Sequence, residues 1–182
     1  MTDLEKLRYP VGRFERLTTP PDAAARVASI ATIDQAPSIF RGLVDGLADA
    51  QLDTPYRPGG WTIRQVVHHV PDSHLNAYIR MKFAVTEETP AIKAYDEAQW
   101  AELPEAKTGP VEMSLDLLDA LHRRWVAFLR ALPDAKFASA FLHPDLKRVT
   151  VDESVALYAW HCRHHAAHIT HGLVGRTPPA RG

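Results

Sequence analysis

Tyr158–His171, Y-A-W-H-C-R-H-H-A-A-H-I-T-H, holds five of the ten histidines in this 182-residue chain. An α-helix advances about 100° per residue, so with His161 at the origin His165 falls at about +40° and His168 at about −20°. His164 and His171 drift to about −60° and −80° on the same wheel. Tyr158 and Ile169 lie at about +60° and +80° and Leu157 at about −40°, which places His161 and His165 at the edge of the apolar face. Two inward imidazoles at i and i+4 make half of a metal site and need a third ligand from another part of the chain. His164 and His168 form a competing i, i+4 pair, poorer in wheel position. Cys162 points about 100° away from His161 and reads as small buried filler.

Working outward, three further segments have helical periodicity. Val27, Ile30, Ile33, Ala36, Phe40, Leu43, Val44 and Leu47 predict a helix over about 22–50, kinked or restarted at Pro37, which has no amide hydrogen to donate. The turn-rich T-P-Y-R-P-G-G, Thr54 to Gly60, ends it. A second helix, about 61–85, puts Ile63, Val66, Val67 and Val70 on one face. On that wheel His69 borders the core and His68 points away, and Pro71 predicts a kink beside the site. The polar stretch from Thr86 to Val111 predicts a long loop, functional or with a short helix of its own. A third helix, about 113–132, turns Leu117, Leu118, Leu121, Trp125, Phe128, Leu129 and Leu132 inward and stops at Pro133. Phe141 to Thr150 suggests a small hairpin, and T-x-x-E at Thr150 and Glu153 is a capping-box signature opening the histidine helix over about 151–174. With residues 1–21 read as an irregular N-terminal segment, the pattern is all-α: one domain over 1–182, built as a four-helix bundle. His69 can then meet His161 and His165 between inward helix faces, with a coordination position left open.

Composition excludes several function classes. A net charge of −1 offers no long-range field for nucleic acid or anionic lipid, and no apolar run approaches the length of a membrane span. The N-terminus is charged where a secretory signal would be apolar, and the single cysteine fits a reducing compartment, so the expected location is cytoplasmic. His74, His122 and His143 have no spacing partner and read as ordinary hydrogen-bonded residues. The four tryptophans read as packing, and Glu87, Glu88, Asp96 and Glu97 as a solvated surface.

G-G-W-T-I-R-Q-V-V-H-H-V-P-D-S-H-L-N-A-Y-I-R, Gly59 to Arg80, resembles the corresponding motif of the YfiT branch of the DinB-like superfamily. The likeness extends from Y-P-V-G-R-F-E at Tyr9 through Q-L-D-T-P-Y-R, T-E-E-T-P-A-I-K-A-Y-D-E and F-L-H-P-D to W-H-C-R-H-H-A-A-H-I-T, ending at Thr170. It implies a four-helix bundle holding a divalent metal, nickel or zinc, on three histidines. Matched motif to motif, these are His69, His161 and His165, the same three that the helical wheels select. Members first carried the provisional label metal-dependent hydrolase, and close relatives are regarded as bacillithiol S-transferases. Pro71, Cys162 and Arg163 depart from the residues associated with these positions in the family. The resemblance also implies a homodimer.

Three functions compete on this reading. In the leading one the metal holds a small-molecule thiol such as bacillithiol as its thiolate, which attacks an electrophile. In the second it activates water for hydrolysis, for which Asp72, three residues beyond His69, is the nearest carboxylate in sequence. No H-E-x-x-H arrangement is present to supply a base. In the third the metal only stabilises a non-catalytic module. Tyr158 and His168 are expected beside the ligands, supporting them or handling protons.

Overall fold

Each amphipathic stripe must bury its apolar side, and four long stripes in one chain do so by facing one another. A computed structural model describes residues 3–174; the ends of the expected 1–182 domain lie outside the described residues. The elements run α1 (Asp3–Arg8), α2 (Ala23–Val44), α3 (Asp49–Leu52), α4 (Ile63–Thr86), α5 (Glu97–Ala101), α6 (Pro104–Thr108), α7 (Val111–Ala131), a 3-10 turn (Asp134–Ala138), β1 (Ala140–His143), β2 (Lys147–Thr150) and α8 (Val151–Leu173). Helices α2, α4, α7 and α8 form the expected four-helix bundle. Both α2 and α4 pack against α7 and α8, so the order around the bundle is α2, α8, α4, α7. Consecutive helices α2 and α4 thus sit across a diagonal, as do α7 and α8, and both links between them are crossovers.

The core between the helices includes fully buried Trp125, Phe40, Ile33, Ile63, Met81, Leu118, Leu129 and Ile169. Two imidazoles, His74 and His122, are buried just as completely among them. The start of α4 is fixed by a capping box: the Thr62 hydroxyl accepts the Gln65 N–H at 3.1 Å and the Gln65 side-chain oxygen accepts the Thr62 N–H at 2.9 Å. Such a cap contributes about 1 kcal/mol and sets where the helix begins, hence which way His69 faces. At the start of α8, the Thr150 hydroxyl caps the Glu153 N–H. The Glu153 carboxylate does not return to Thr150; it binds the Arg16 guanidinium through both oxygens. Its neighbour Asp152 is gripped the same way by Arg26, at 2.6 and 2.9 Å. These two forks tie the N-terminal segment and α2 to the start of α8.

Several sequence expectations need correction. The segment 1–21 is not wholly irregular, because Asp3–Arg8 is helical. The first bundle helix ends at Val44 and not near residue 50: Gly46 takes a positive φ of 71°, which turns the chain before the short α3. Pro37 starts no new helix, and Pro71 likewise lies within one continuous helix. Each removes one helical donor, leaving the carbonyls of Ile33 and Val67 without their usual N–H four residues on. The stretch 86–111 carries two short helices, α5 and α6, packed on α4. In α7 the inward position is Leu115, whereas Leu117 is exposed. The hairpin forms as expected, pairing Ala140 with Thr150 through to His143 with Lys147, and Ile92 and Leu142 bond the 86–96 stretch alongside it.

Candidate metal centre

Because α4 and α8 are neighbours in the bundle, the histidine at the edge of one stripe faces those of the other. His69, His161 and His165 each offer a ring nitrogen, and all three nitrogens lie within 4.8 Å of one another. The Nε2 atoms of His69 and His161 stand 3.4 Å apart. Ring centroids are 4.9 Å apart between His69 and His165 and 4.4 Å between His161 and His165. Burial pushes the His69 imidazole down to about 4 and holds those of His161 and His165 well below the ordinary value, the neighbouring imidazoles adding to the effect. Three neutral rings with lone pairs converging on one point repel one another unless something electron-poor lies between them. That donor set fits a divalent cation such as zinc or nickel.

The group lines a cavity of about 680 Å³. Trp61 leans on His69 with ring centroids 4.8 Å apart, and Tyr158 lies 5.4 Å from His161. The Tyr158 hydroxyl donates to the Ser73 carbonyl at 3.2 Å, and burial raises its pKa. The Ser73 hydroxyl is 3.5 Å from His161 Nε2. The cavity is also lined by Arg8, Arg57 and Arg80, none of which has an ion-pair partner among the described residues. Two carboxylates, Glu97 and Asp145, line it as well, and both are solvent-exposed.

A family model for the DinB superfamily matches residues 32–169, which takes in α4 and α7 whole, much of α2 and α8, and the three converging histidines. The chain belongs to the DinB superfamily. This DinB chain is 47% identical over 168 residues to "Putative metal-dependent hydrolase YfiT" of Bacillus subtilis (strain 168), covering 90% of this chain and 92% of that one. It is 48% identical to "Putative metal-dependent hydrolase BcerKBAB4_2443" of Bacillus mycoides (strain KBAB4), covering 92% and 95%. The solved structure of YfiT from Bacillus subtilis, described as "a probable metal-dependent hydrolase with an unusual four-helix bundle topology", superposes with a TM-score of 0.89 at 46% identity over 92% of this chain and 96% of that one. A second four-helix bundle, at 19% identity and TM-score 0.54, shares the fold alone.

The other candidate residues of this DinB domain separate by direction. His168 stands next to the site: its Nε2–H donates to the Arg8 carbonyl at 3.2 Å, so its Nδ1, 3.4 Å from His165 Nδ1, is free to accept from it. Tyr56 stacks on His168 at 3.9 Å. Asp72 is not brought to the histidines; it does not line the cavity, and burial, with Glu105 adding to it, raises its pKa to about 6. His68 does turn away from the site, but it is buried and not directed to solvent, bonded to the Ser114 hydroxyl and the Gly109 carbonyl. His164 of the competing pair stacks on Trp160 at 4.3 Å. Cys162 is buried and its thiol is pushed up to about 12, which leaves it as filler.

Sequence reasoning missed three groups: Ser73, His74 and His122. The two imidazoles carry a pH dependence. Burial holds His122 at about 4, whereas in the unfolded chain it titrates at about 6.5. Between those values the unfolded chain binds the extra proton, so stability is complete above about 6.5 and falls by up to about 1.4 kcal/mol per pH unit per such group as pH drops towards 4. The melting temperature of chelator-treated protein is therefore expected to fall steadily from pH 7 to pH 5. A flat profile over that range would contradict the buried neutral state.

Proposed function

We propose that this chain is a divalent-metal-dependent enzyme that joins an anionic low-molecular-weight thiol, of the bacillithiol type, through its sulfur to an electrophilic carbon. The observation that carries the reading is the convergence of His69, His161 and His165 in the lining of a cavity. Three protein donors leave a tetrahedral ion one position short, which suits a catalytic more than a purely structural site. When bound there, the ion lowers the pKa of a thiol or a water and so supplies a nucleophile near neutral pH. The chain's own residues do the rest. His69, His161 and His165, kept neutral by burial, present lone pairs and not N–H donors. Trp61 and Tyr158 wall the site and exclude bulk water, and Arg8, Arg57 and Arg80 attract and orient the carboxylates of the thiol. The sulfur–carbon bond forms as a carbon–halogen or an epoxide carbon–oxygen bond breaks; halide and thiol proton pass to solvent in the first case, and in the second the ring oxygen stays on the product and takes up a proton.

Hydrolysis is the second reading, favoured by the names of the relatives. It asks for a carboxylate beside the attacking water, and here the lining carboxylates are exposed while Asp72 is off the cavity. Metal-loaded protein incubated with an epoxide or haloalkane, with and without bacillithiol, separates the readings. Transfer predicts a thioether conjugate only when thiol is present. Turnover without thiol assigns hydrolysis, and no turnover in either mixture rejects both.

A further inference from the structure

From His161 a line of hydrogen bonds runs across the bundle through two fully buried imidazoles, His74 and His122, to one backbone carbonyl. His161 Nδ1 lies 3.0 Å from His74 Nε2, His74 Nδ1 lies 2.7 Å from His122 Nε2, and His122 Nδ1 lies 2.6 Å from the Ile33 carbonyl oxygen. The line takes one member from each long helix, α8, α4, α7 and α2 in turn. We propose that His74 and His122 are positioning residues that fix the tautomer and aim of His161, with the Ile33 carbonyl setting the direction of the whole chain of hydrogen bonds.

The direction follows from what each atom can do. A carbonyl only accepts, so His122 must carry its proton on Nδ1. His74 and His122 are 0% and 1% exposed, and a second proton on either would place an unpaired charge in the core. His122 Nε2 is therefore an acceptor and takes the Nδ1–H of His74. By the same step His74 Nε2 accepts the Nδ1–H of His161. The one ring nitrogen of His161 left with a lone pair is Nε2, the atom that faces His69 Nε2. Reversing the line would need a proton on the Ile33 oxygen.

Pro37 explains why that oxygen is available. In an unbroken helix the N–H of residue 37 bonds the carbonyl of residue 33, and proline has no N–H to give. The buried Pro37 keeps the helix continuous while leaving Ile33 to accept from outside it. T-shaped packing of Trp125 on both His74 and His122, at 5.7 and 5.5 Å, holds the two rings in line. Partners of this kind on the remote nitrogen of a ligand histidine contribute about 10–100-fold in metal affinity.

The inference rests on reading His161 as a metal ligand, and the experiment keeps the two apart. In metal-free wild-type protein, long-range ¹H–¹⁵N correlation of the imidazoles should find His74, His122 and His161 all protonated on Nδ1. An Nε2–H tautomer at any of the three overturns the proposal, whether or not the protein takes up metal. In chelator competition for zinc, His122→Leu should weaken binding by about 10–100-fold. His122→Gln, whose amide can donate to Ile33 and accept from His74, should restore most of it. Unchanged zinc affinity in His122→Leu, or equal loss in both variants, assigns His122 to packing alone and overturns the proposal. Failure of wild-type protein to bind zinc or nickel rejects the metal reading, and the tautomers of the metal-free protein still decide the hydrogen-bond line.

Discussion

Replacing His69, His161 or His165 singly by alanine is expected to abolish stoichiometric binding of a divalent ion, while His68→Ala and His164→Ala retain it. The contrast is sharp because each pair is adjacent in sequence yet opposite in geometry. His69 has its Nε2 3.4 Å from that of His161, whereas His68 is committed to Ser114 and Gly109 on the other side of α4. His165 shares the central point, whereas His164 is stacked on Trp160. Two remaining imidazoles hold an ion too weakly to survive gel filtration, because affinity at such sites depends on ligand number and geometry. Elemental analysis of the purified variants reads the result directly. Full metal content in His69→Ala would reject the ligand set.

Trp125→Ala should cost about 3–5 kcal/mol of unfolding free energy, the range for deleting a large buried aromatic side chain. For a chain of this length that corresponds to a melting temperature lower by roughly 10 °C. The ring is fully buried, its Nε1–H donates to Met81 Sδ at 3.3 Å, and its edges and faces meet His74, His122 and Tyr158. Its removal empties space at the centre of the bundle and frees the imidazole line at once. Trp125→Phe keeps much of the volume and should cost clearly less. Chemical denaturation of metal-free protein checks both, and a loss below about 1 kcal/mol for Trp125→Ala would contradict the packing described.

The four long helices were legible because periodicity is a local signal, and the wheel that put His161, His165 and His69 at stripe edges placed the rings that the fold brings together. Helix ends were less legible. Gly46 stops α2 early through its positive φ, and nothing in the apolar pattern around Leu47 shows that turn. Of the two readings open at Pro37, a restart is overturned, since Pro37 and Pro71 each lie inside one continuous helix. His74 and His122 were readable in part. With Val66 at the origin His74 falls at about +80°, inside the stripe of Ile63, Val67 and Val70. With Leu118 at the origin His122 falls at about +40°, between Leu129 at about +20° and Leu115 at about +60°. What one sequence cannot supply is that those two stripe positions lie at the same height in neighbouring helices. Asp72 failed for the related reason that proximity in sequence to His69 says nothing about direction: three residues on, the side chain is half-buried outside the cavity lining, where Glu105 adds to the effect of burial.

Anomalous diffraction from crystals of wild-type protein loaded with zinc or nickel, recorded at the absorption edge of the ion, tests the shared site most directly. The expected result is a single peak per chain at about 2.0–2.1 Å from one nitrogen of each of His69, His161 and His165. A peak bonded instead by His164 and His168, or no peak between the three rings, would contradict it.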